Sequence, residues 1–154
     1  MEKINIIREV SCLILFNKKG EILVQDRKNI SKLGEMWGFF GGGLKKGETP
    51  EKALIREIME ELNIDLTTEE YNYDFMFQKD NIWSEIKIIR VNYFGVIVDK
   101  KIEDFCVLEG DKANFFNIEE LFSKYLIGRE KQKEAIKEIF KKIKIFYNKK
   151  MSGK

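Results

Sequence analysis

The stretch "GGGLKKGETPEKALIREIMEELNI", residues 41–64, carries the reading of this chain. Thr49-Pro50 is a strong helix start. Threonine caps the first amides, and proline is favoured at the first helical position because its missing N–H would have no partner there. The spacing predicts a helix from this point to about Leu62, closed by Asn63 in the left-handed conformation usually given to glycine. At 100° per residue, Leu54, Ile55, Ile58 and Leu62 fall in one stripe that should face the core. Glu57, Glu60 and Glu61 share the edge beside that stripe, and Arg56 borders them on the far side, placed to pair with an acid.

Two readings of these acids are open from helix geometry alone. On an exposed helix, like charges one turn apart cost only a few tenths of a kcal/mol, so a solvated acidic face is common. Partly walled by a loop, each pair at ~6 Å would repel by roughly 3 kcal/mol at an effective dielectric near 20. Such a cluster calls for a hard cation, Mg2+, Mn2+ or Ca2+. Gly41-Gly42-Gly43 shifts the balance, because a run without side chains lets backbone amides and carbonyls approach a ligand closely. Read alone, the glycines are a turn. At a fixed distance from the helix acids they favour the cation.

The rest of the chain narrows the classes. Its 154 residues are read as a single domain, 1–154, with 149–154 as a frayed tail. Hydrophobic residues at 44% and charged residues at 35% describe a folded, soluble protein. A net charge of +2 gives no basic excess to coat a phosphate backbone, so a nucleic-acid partner is not expected. The first residues, with Glu2, Lys3, Arg8 and Glu9, lack the apolar segment of a signal peptide, and no run reaches the ~18 apolar residues of a membrane span. A cytoplasmic location, with no membrane partner, is the expectation. Cys12 and Cys106 sit in apolar runs and are read as two buried free thiols. The chain contains no histidine, which removes the commonest general base and zinc ligand. Chemistry here must run on carboxylates, lysine, tyrosine or a hard metal.

Around the helix the pattern is mixed. "VSCLILFNKKGEILVQDR" predicts a hairpin, with strands from about Val10 to Phe16 and Glu21 to Arg27 across an Asn17–Gly20 turn. "MWGFFGGGLKKGE" reads as strand and loop, and "YNYDFMFQKD" and "EIKIIRVNYFGVIVD" as two further strands. "DKANFFNIEELFSKYL" predicts a short strand and a helix capped by Asn117. Apolar residues at 136, 139, 140, 143 and 146 mark a C-terminal helix. The result is a mixed sheet with a central and a C-terminal helix.

Residues 42–64 resemble the Nudix box, G-x5-E-x7-R-E-U-x-E-E-x-G-U with U a bulky aliphatic. Gly42, Glu48, Arg56-Glu57, Ile58, Glu60-Glu61 and Ile64 all fall in place. Six identities at a chance of roughly 0.06 each give odds below about one in ten million per starting position. Asn63 stands where the box has glycine, a mild departure, since asparagine tolerates the left-handed conformation best after glycine. "MWGFFGGG" is similar to the family's aromatic-x-x-Pro-Gly-Gly lead-in, with Phe40 in the proline place. "LEGDKANFFNIEEL" is similar to its segment after the last long strand.

The resemblance implies the Nudix α/β/α sandwich, a mixed β-sheet between helices. It also implies Mg2+- or Mn2+-dependent hydrolysis of a nucleoside diphosphate linked to another moiety. Glu57, Glu60 and Glu61 would then be metal ligands with the Gly41 carbonyl, Glu57 also the candidate base, Arg56 the residue that orients the acids, and Glu48 a positioning neighbour. Gly42 and Gly43 would approach the substrate through their backbone. Glu109 matches a place where some members carry a further base or ligand; an ordinary loop acid is the alternative. Arg27 reads as a phosphate contact or as half of a surface ion pair, and Trp37 and Phe39 as base-stacking or core aromatics. A small single domain favours a MutT-like enzyme that converts a nucleoside triphosphate, oxidised or not, to NMP and pyrophosphate. No Pro or Tyr lies about fifteen residues past the box, where Lys79 and Asp80 stand, so ADP-ribose and dinucleoside polyphosphates lose support. Nucleotide sugars, a non-catalytic nucleotide sensor and a homodimer stay open.

Overall fold

The computed structural model describes residues 5–30, 34–84, 87–107 and 112–153. Its strands are β1 (Asn5–Phe16), β2 (Ile22–Asp26), β3 (Trp37–Gly38), β4 (Phe40–Gly43), β5 (Asp74–Ser84), β6 (Lys87–Ile97) and β7 (Ala113–Phe116). Three α-helices accompany them: α1 (Pro50–Leu62), α2 (Ile118–Tyr125) and α3 (Lys133–Ser152). The strands form one mixed sheet in the order β3-β2-β1-β6-β5, with β4 paired to β1 and β7 to β2. β1 and β6 run parallel; the other pairings are antiparallel.

β1 shows why both faces of this sheet are covered. Side chains alternate across a strand, yet "CLILF" is apolar throughout, as expected where both faces are buried. Leu13 and Leu15 join the core under α1, with Leu54, Ile58, Leu62 and Phe94. Cys12, Ile14 and Phe16 point the other way, into a second core with Leu121 of α2 and Ile136, Ile139, Phe140 and Ile143 of α3. The expected α/β/α layering is therefore present. Full burial of Leu54, Ile58 and Leu62 stabilises the α1 contact by roughly 1.5–3 kcal/mol each.

α1 begins and ends where its sequence predicts. The Thr49 hydroxyl accepts from the Lys52 amide, and the Asn63 backbone, at φ 55° and ψ 38°, donates back to the Met59 carbonyl. The Ser11 hydroxyl of β1 donates to the Pro50 carbonyl at 2.7 Å, tying the first turn of the helix to the sheet.

Four expectations change. β1 starts at Asn5 rather than near Val10, because parallel pairing with β6 extends it past the apolar run. The segment around Trp37–Gly43 divides into two strands, β3 on β2 and β4 on β1. α3 continues through Lys149 to Ser152 instead of fraying. Lys150 pairs with Asp74 there, and Lys149 and Lys150 suit the negative end of the helix dipole. Cys12 is a buried free thiol, whose pKa burial pushes well up, but Cys106 is exposed. Phe105 and Val107 on either side of it pack against the core, so an extended backbone turns Cys106 outward.

Asn63→Gly should leave the urea unfolding free energy within about 0.5 kcal/mol of wild type or raise it. Asn63→Ala should lower it by about 1 kcal/mol, since only the left-handed geometry separates the two variants.

Candidate active site

Three glycines of β4 bring α1 against β1. Gly41 has φ 146°, and a Cβ there would lie 2.1 Å from the Ser11 carbonyl oxygen, so no side chain fits. Gly42 is not held at positive φ; what it supplies is space. A Cβ on Gly42 would stand 2.4 Å from the carboxylate carbon of Glu57 and 2.6 Å from both its oxygens. The helix acid rests directly on the bare backbone of the strand. Glu61 is held from the same strand: the Gly41 amide donates to its Oε1 at 2.7 Å. Glu61 is buried, with 5% of its surface exposed, and a buried carboxylate needs such donors. The helical stripe explains its depth, because Glu61 lies nearest the core-facing side among the three acids.

Arg56 binds this arrangement together. Its Nε and Nη2 donate to the two Glu48 oxygens at 2.9 and 2.8 Å, a bidentate pair. Nη2 also donates to the Gly43 carbonyl at 3.0 Å and Nη1 to Glu57 at 2.8 Å. Glu60 stands 3.5 Å from Nη1 and is the most exposed of the helix acids. Glu48 thus clamps Arg56 from the loop ahead of α1. The Arg56 hydrogen bonds, followed by the Lys45 amide, lower its pKa from 4.5 to about 2, and the same partners raise the guanidinium further above its ordinary range.

Among the described residues, no group of three Cys, Asp or Glu side chains is converged as a metal cage. Arg56 occupies Glu57 and Glu60, and the Gly41 amide holds Glu61. The donor chemistry nevertheless fits a hard divalent ion: carboxylate oxygens, backbone carbonyls, and a glycine cradle that a Cβ would fill.

A cavity of about 720 Å3 opens on β4, reaching Gly41 and Gly42. Its floor is built by in-register pairs of β1 and β6: Arg8 with Ile89, Val10 with Val91, and Cys12 with Tyr93. Phe39 lines it and stacks on Tyr125 at 4.9 Å between ring centroids. Arg129 lies over the opposite partner of that stack, 3.9 Å from the Tyr125 ring centre, and donates to the carbonyls of Trp37 and Tyr125. Burial raises the Tyr93 and Tyr125 pKa values, keeping both phenols protonated at neutral pH.

The expected site residues therefore separate. Gly41, Gly42, Gly43, Glu48, Arg56, Glu57, Glu60 and Glu61 are gathered at one place. Phe39 and Arg27 line the cavity, Arg27 engaged with Gln25 at 3.0 Å and Glu35 at 3.4 Å. Trp37 is buried in the core, edge-on to Phe116, and is not among the residues that line the cavity. Glu109 lies outside the described residues. Tyr125, Arg129 and Arg8 were not singled out beforehand. Tyr125 is the last residue of α2 and Arg129 lies just beyond it, where no local pattern marks them. Arg8 shares the parity of Val10 and Cys12, a signal visible only once β1 is known to begin before it.

A family model described as the NUDIX domain matches residues 6–139. The chain is 39% identical over 66 residues to the 8-oxo-dGTP diphosphatase of Proteus vulgaris, covering 43% of this chain and 55% of that protein. It is 37% identical over 57 residues to the CTP pyrophosphohydrolase of Escherichia coli (strain K12), covering 37% and 42%. These matches span about half the length of each relative or less. Among solved structures, a binary complex of the C. elegans Ap4A hydrolase aligns with TM-score 0.67 over 92% of this chain and 98% of that one. At 19% identity this is a likeness of fold alone.

Two outcomes follow from the geometry. Gly42→Ala should displace the Glu57 carboxylate and cut any activity of this site by about 10²-fold, with the far-UV circular dichroism spectrum unchanged. Glu48 titrates lower in the folded chain than in the unfolded one, so its bonded form stabilises the fold fully above about pH 4.5 and that contribution is lost as the pH falls towards about 2. In EDTA buffer, wild type should lose more stability over that interval than Glu48→Gln, as read from urea midpoints at each pH.

Proposed function

The chain belongs to the Nudix family, and from that premise we propose that it is a Mg2+- or Mn2+-dependent pyrophosphohydrolase. Its favoured substrate in this reading is a nucleoside triphosphate, oxidised bases included, cleaved to the monophosphate and pyrophosphate. The observation that carries the proposal is the set of Glu57, Glu61 and Arg56 fixed on the bare backbone of β4 at the end of a cavity. The names of the relatives, an 8-oxo-dGTP diphosphatase and a CTP pyrophosphohydrolase, support a phosphate anhydride as the bond attacked. Residues 1–154 act as one domain in this proposal.

Glu57, Glu60, Glu61 and the Gly41 carbonyl are the groups that would hold the cation. Bound there, a divalent ion supplies positive charge to the phosphate oxygens and lowers the pKa of water. The chain's own residues do the rest. Water attacks a phosphorus of the anhydride; a new P–O bond forms as the bridging P–O bond breaks, and the leaving pyrophosphate keeps the electron pair. In this reading Glu57 takes the proton of the attacking water, a role supported by the orientation that Arg56 on one side and Gly42 on the other give its carboxylate. Arg56 acts as a positioning residue, itself clamped by Glu48. The Gly41 amide holds Glu61 so that its carboxylate does not swing back toward the core. Phe39 and Tyr125 offer an aromatic wall for the base, in a cavity large enough for a nucleotide.

The test is a screen of nucleoside triphosphates, nucleotide sugars, ADP-ribose, dinucleoside polyphosphates and 5′-triphosphorylated RNA, reading phosphate and pyrophosphate release with Mg2+ or Mn2+. Triphosphate turnover that EDTA abolishes and metal restores is the expected result. Glu57→Gln and Glu61→Gln should each reduce kcat/KM by at least ~10²-fold. Near-wild-type turnover in Glu61→Gln would remove it from the metal set. Binding without turnover across the whole screen would identify a nucleotide sensor.

A further inference from the structure

We propose that Arg8 binds the polyphosphate chain of the substrate on the cavity side of β4, a role that rests on the pyrophosphohydrolase reading above. Gly43 is not held at positive φ, so its backbone conformation does not call for glycine. The space does. A Cβ on Gly43 would lie 3.2 Å from Arg8 Nε and 3.3 Å from Nη2. Gly42 and Gly43 therefore seat two different groups: the Glu57 carboxylate at one residue and the Arg8 guanidinium at the next. Consecutive strand residues face opposite sides, so the anionic and cationic groups flank the same short backbone.

Arg8 is the cation of this cavity left available for an anion in contact with β4. Arg27 is paired with Glu35 and Gln25, and Arg129 with two carbonyls and the Tyr125 ring. Among the described residues, Arg8 has no carboxylate within ion-pair distance. Lys131 also lines the cavity, but from the turn ahead of α3 rather than from the sheet. A long side chain laid on a backbone without an ion pair gives up rotamer freedom for little return. A phosphate beside it would supply that return, because the planar guanidinium matches two phosphate oxygens at once. The ladder between β1 and β6 is irregular between Ile6 and Arg8, and such a bulge re-aims the side chains next to it. From Arg8 onward the pairing is regular, and Arg8 stands in the same row as Val10 and Cys12 on the cavity floor. The substrate's base then occupies the Phe39–Tyr125 wall, and its phosphates leave over Gly43 and Gly42 toward the acids.

Arg8→Gln keeps most of the chain and removes the charge. Expected are a rise of about tenfold or more in KM for a triphosphate, a much smaller change in kcat, and an equal weakening of inorganic pyrophosphate measured by calorimetry. Arg8→Lys should recover part of the loss. Gly43→Ala, which nudges the guanidinium off its seat, should raise KM in the same direction by a smaller step, and the double variant should be no worse than Arg8→Gln alone. Lys131→Ala, which removes charge without touching β4, should have a clearly smaller effect. Unchanged KM and pyrophosphate affinity in Arg8→Gln would overturn the assignment, as would an equal loss in Lys131→Ala or full additivity of Arg8→Gln with Gly43→Ala. If wild type turned over no nucleotide, the activity reading would fall by itself, and pyrophosphate binding to wild type and Arg8→Gln would still decide the role of Arg8.

Discussion

A strand that ends in three consecutive glycines is the constraint on which this structure depends. β4 pairs with β1 through Gly41, Gly42 and Gly43, and α1 comes down on it without any intervening Cβ. The 2.7 Å bond from the Gly41 amide to Glu61 is possible only at that approach. It lets a carboxylate remain in a place where only 5% of its residue is exposed, because the charge is met by a fixed donor rather than by water. The Ser11 hydroxyl on the Pro50 carbonyl then holds the start of the same helix to β1. Helix and sheet are thus registered by hydrogen bonds at the polar edge and by Leu54, Ile58 and Leu62 at the apolar one.

Arg56 converts that registration into a site. Its guanidinium reaches the loop before α1 through Glu48, the strand through the Gly43 carbonyl and the helix through Glu57. One side chain thereby couples three segments that are separated along the chain. The close spacing of the acids is tolerated because Glu57 and Glu61 each have a specific hydrogen-bond donor, while Glu60 is the one that faces water. That answers the question raised by three glutamates on one helix edge: they are a partly walled cluster with its own counter-charge.

Much of this was legible beforehand. Thr49, Pro50 and Asn63 mark the ends of α1 by local chemistry that no tertiary contact alters. The apolar stripe sets which side of α1 is buried, and hence that Glu61 lies nearest the core. The strand limits were less legible. β1 grows five residues ahead of Val10 because it pairs with β6, some eighty residues on. Trp37 was ambiguous for a related reason: an aromatic beside a strand is core or wall according to what packs on it, here Phe116 from β7.

By itself, then, the sequence determined the helix with its caps, the edge on which its acids stand, the glycine run before it and the family these features announce. Those properties depend on residues within one or two turns of one another, where backbone preference and side-chain periodicity act directly. Only the tertiary structure decided which glycine seats which charge, that Arg27 is engaged while Arg8 lies on Gly43, and that Tyr125 and Arg129 wall the cavity. These are contacts between segments distant in the chain, and they arise where packing of the sheet against its helices, rather than local preference, sets the distances.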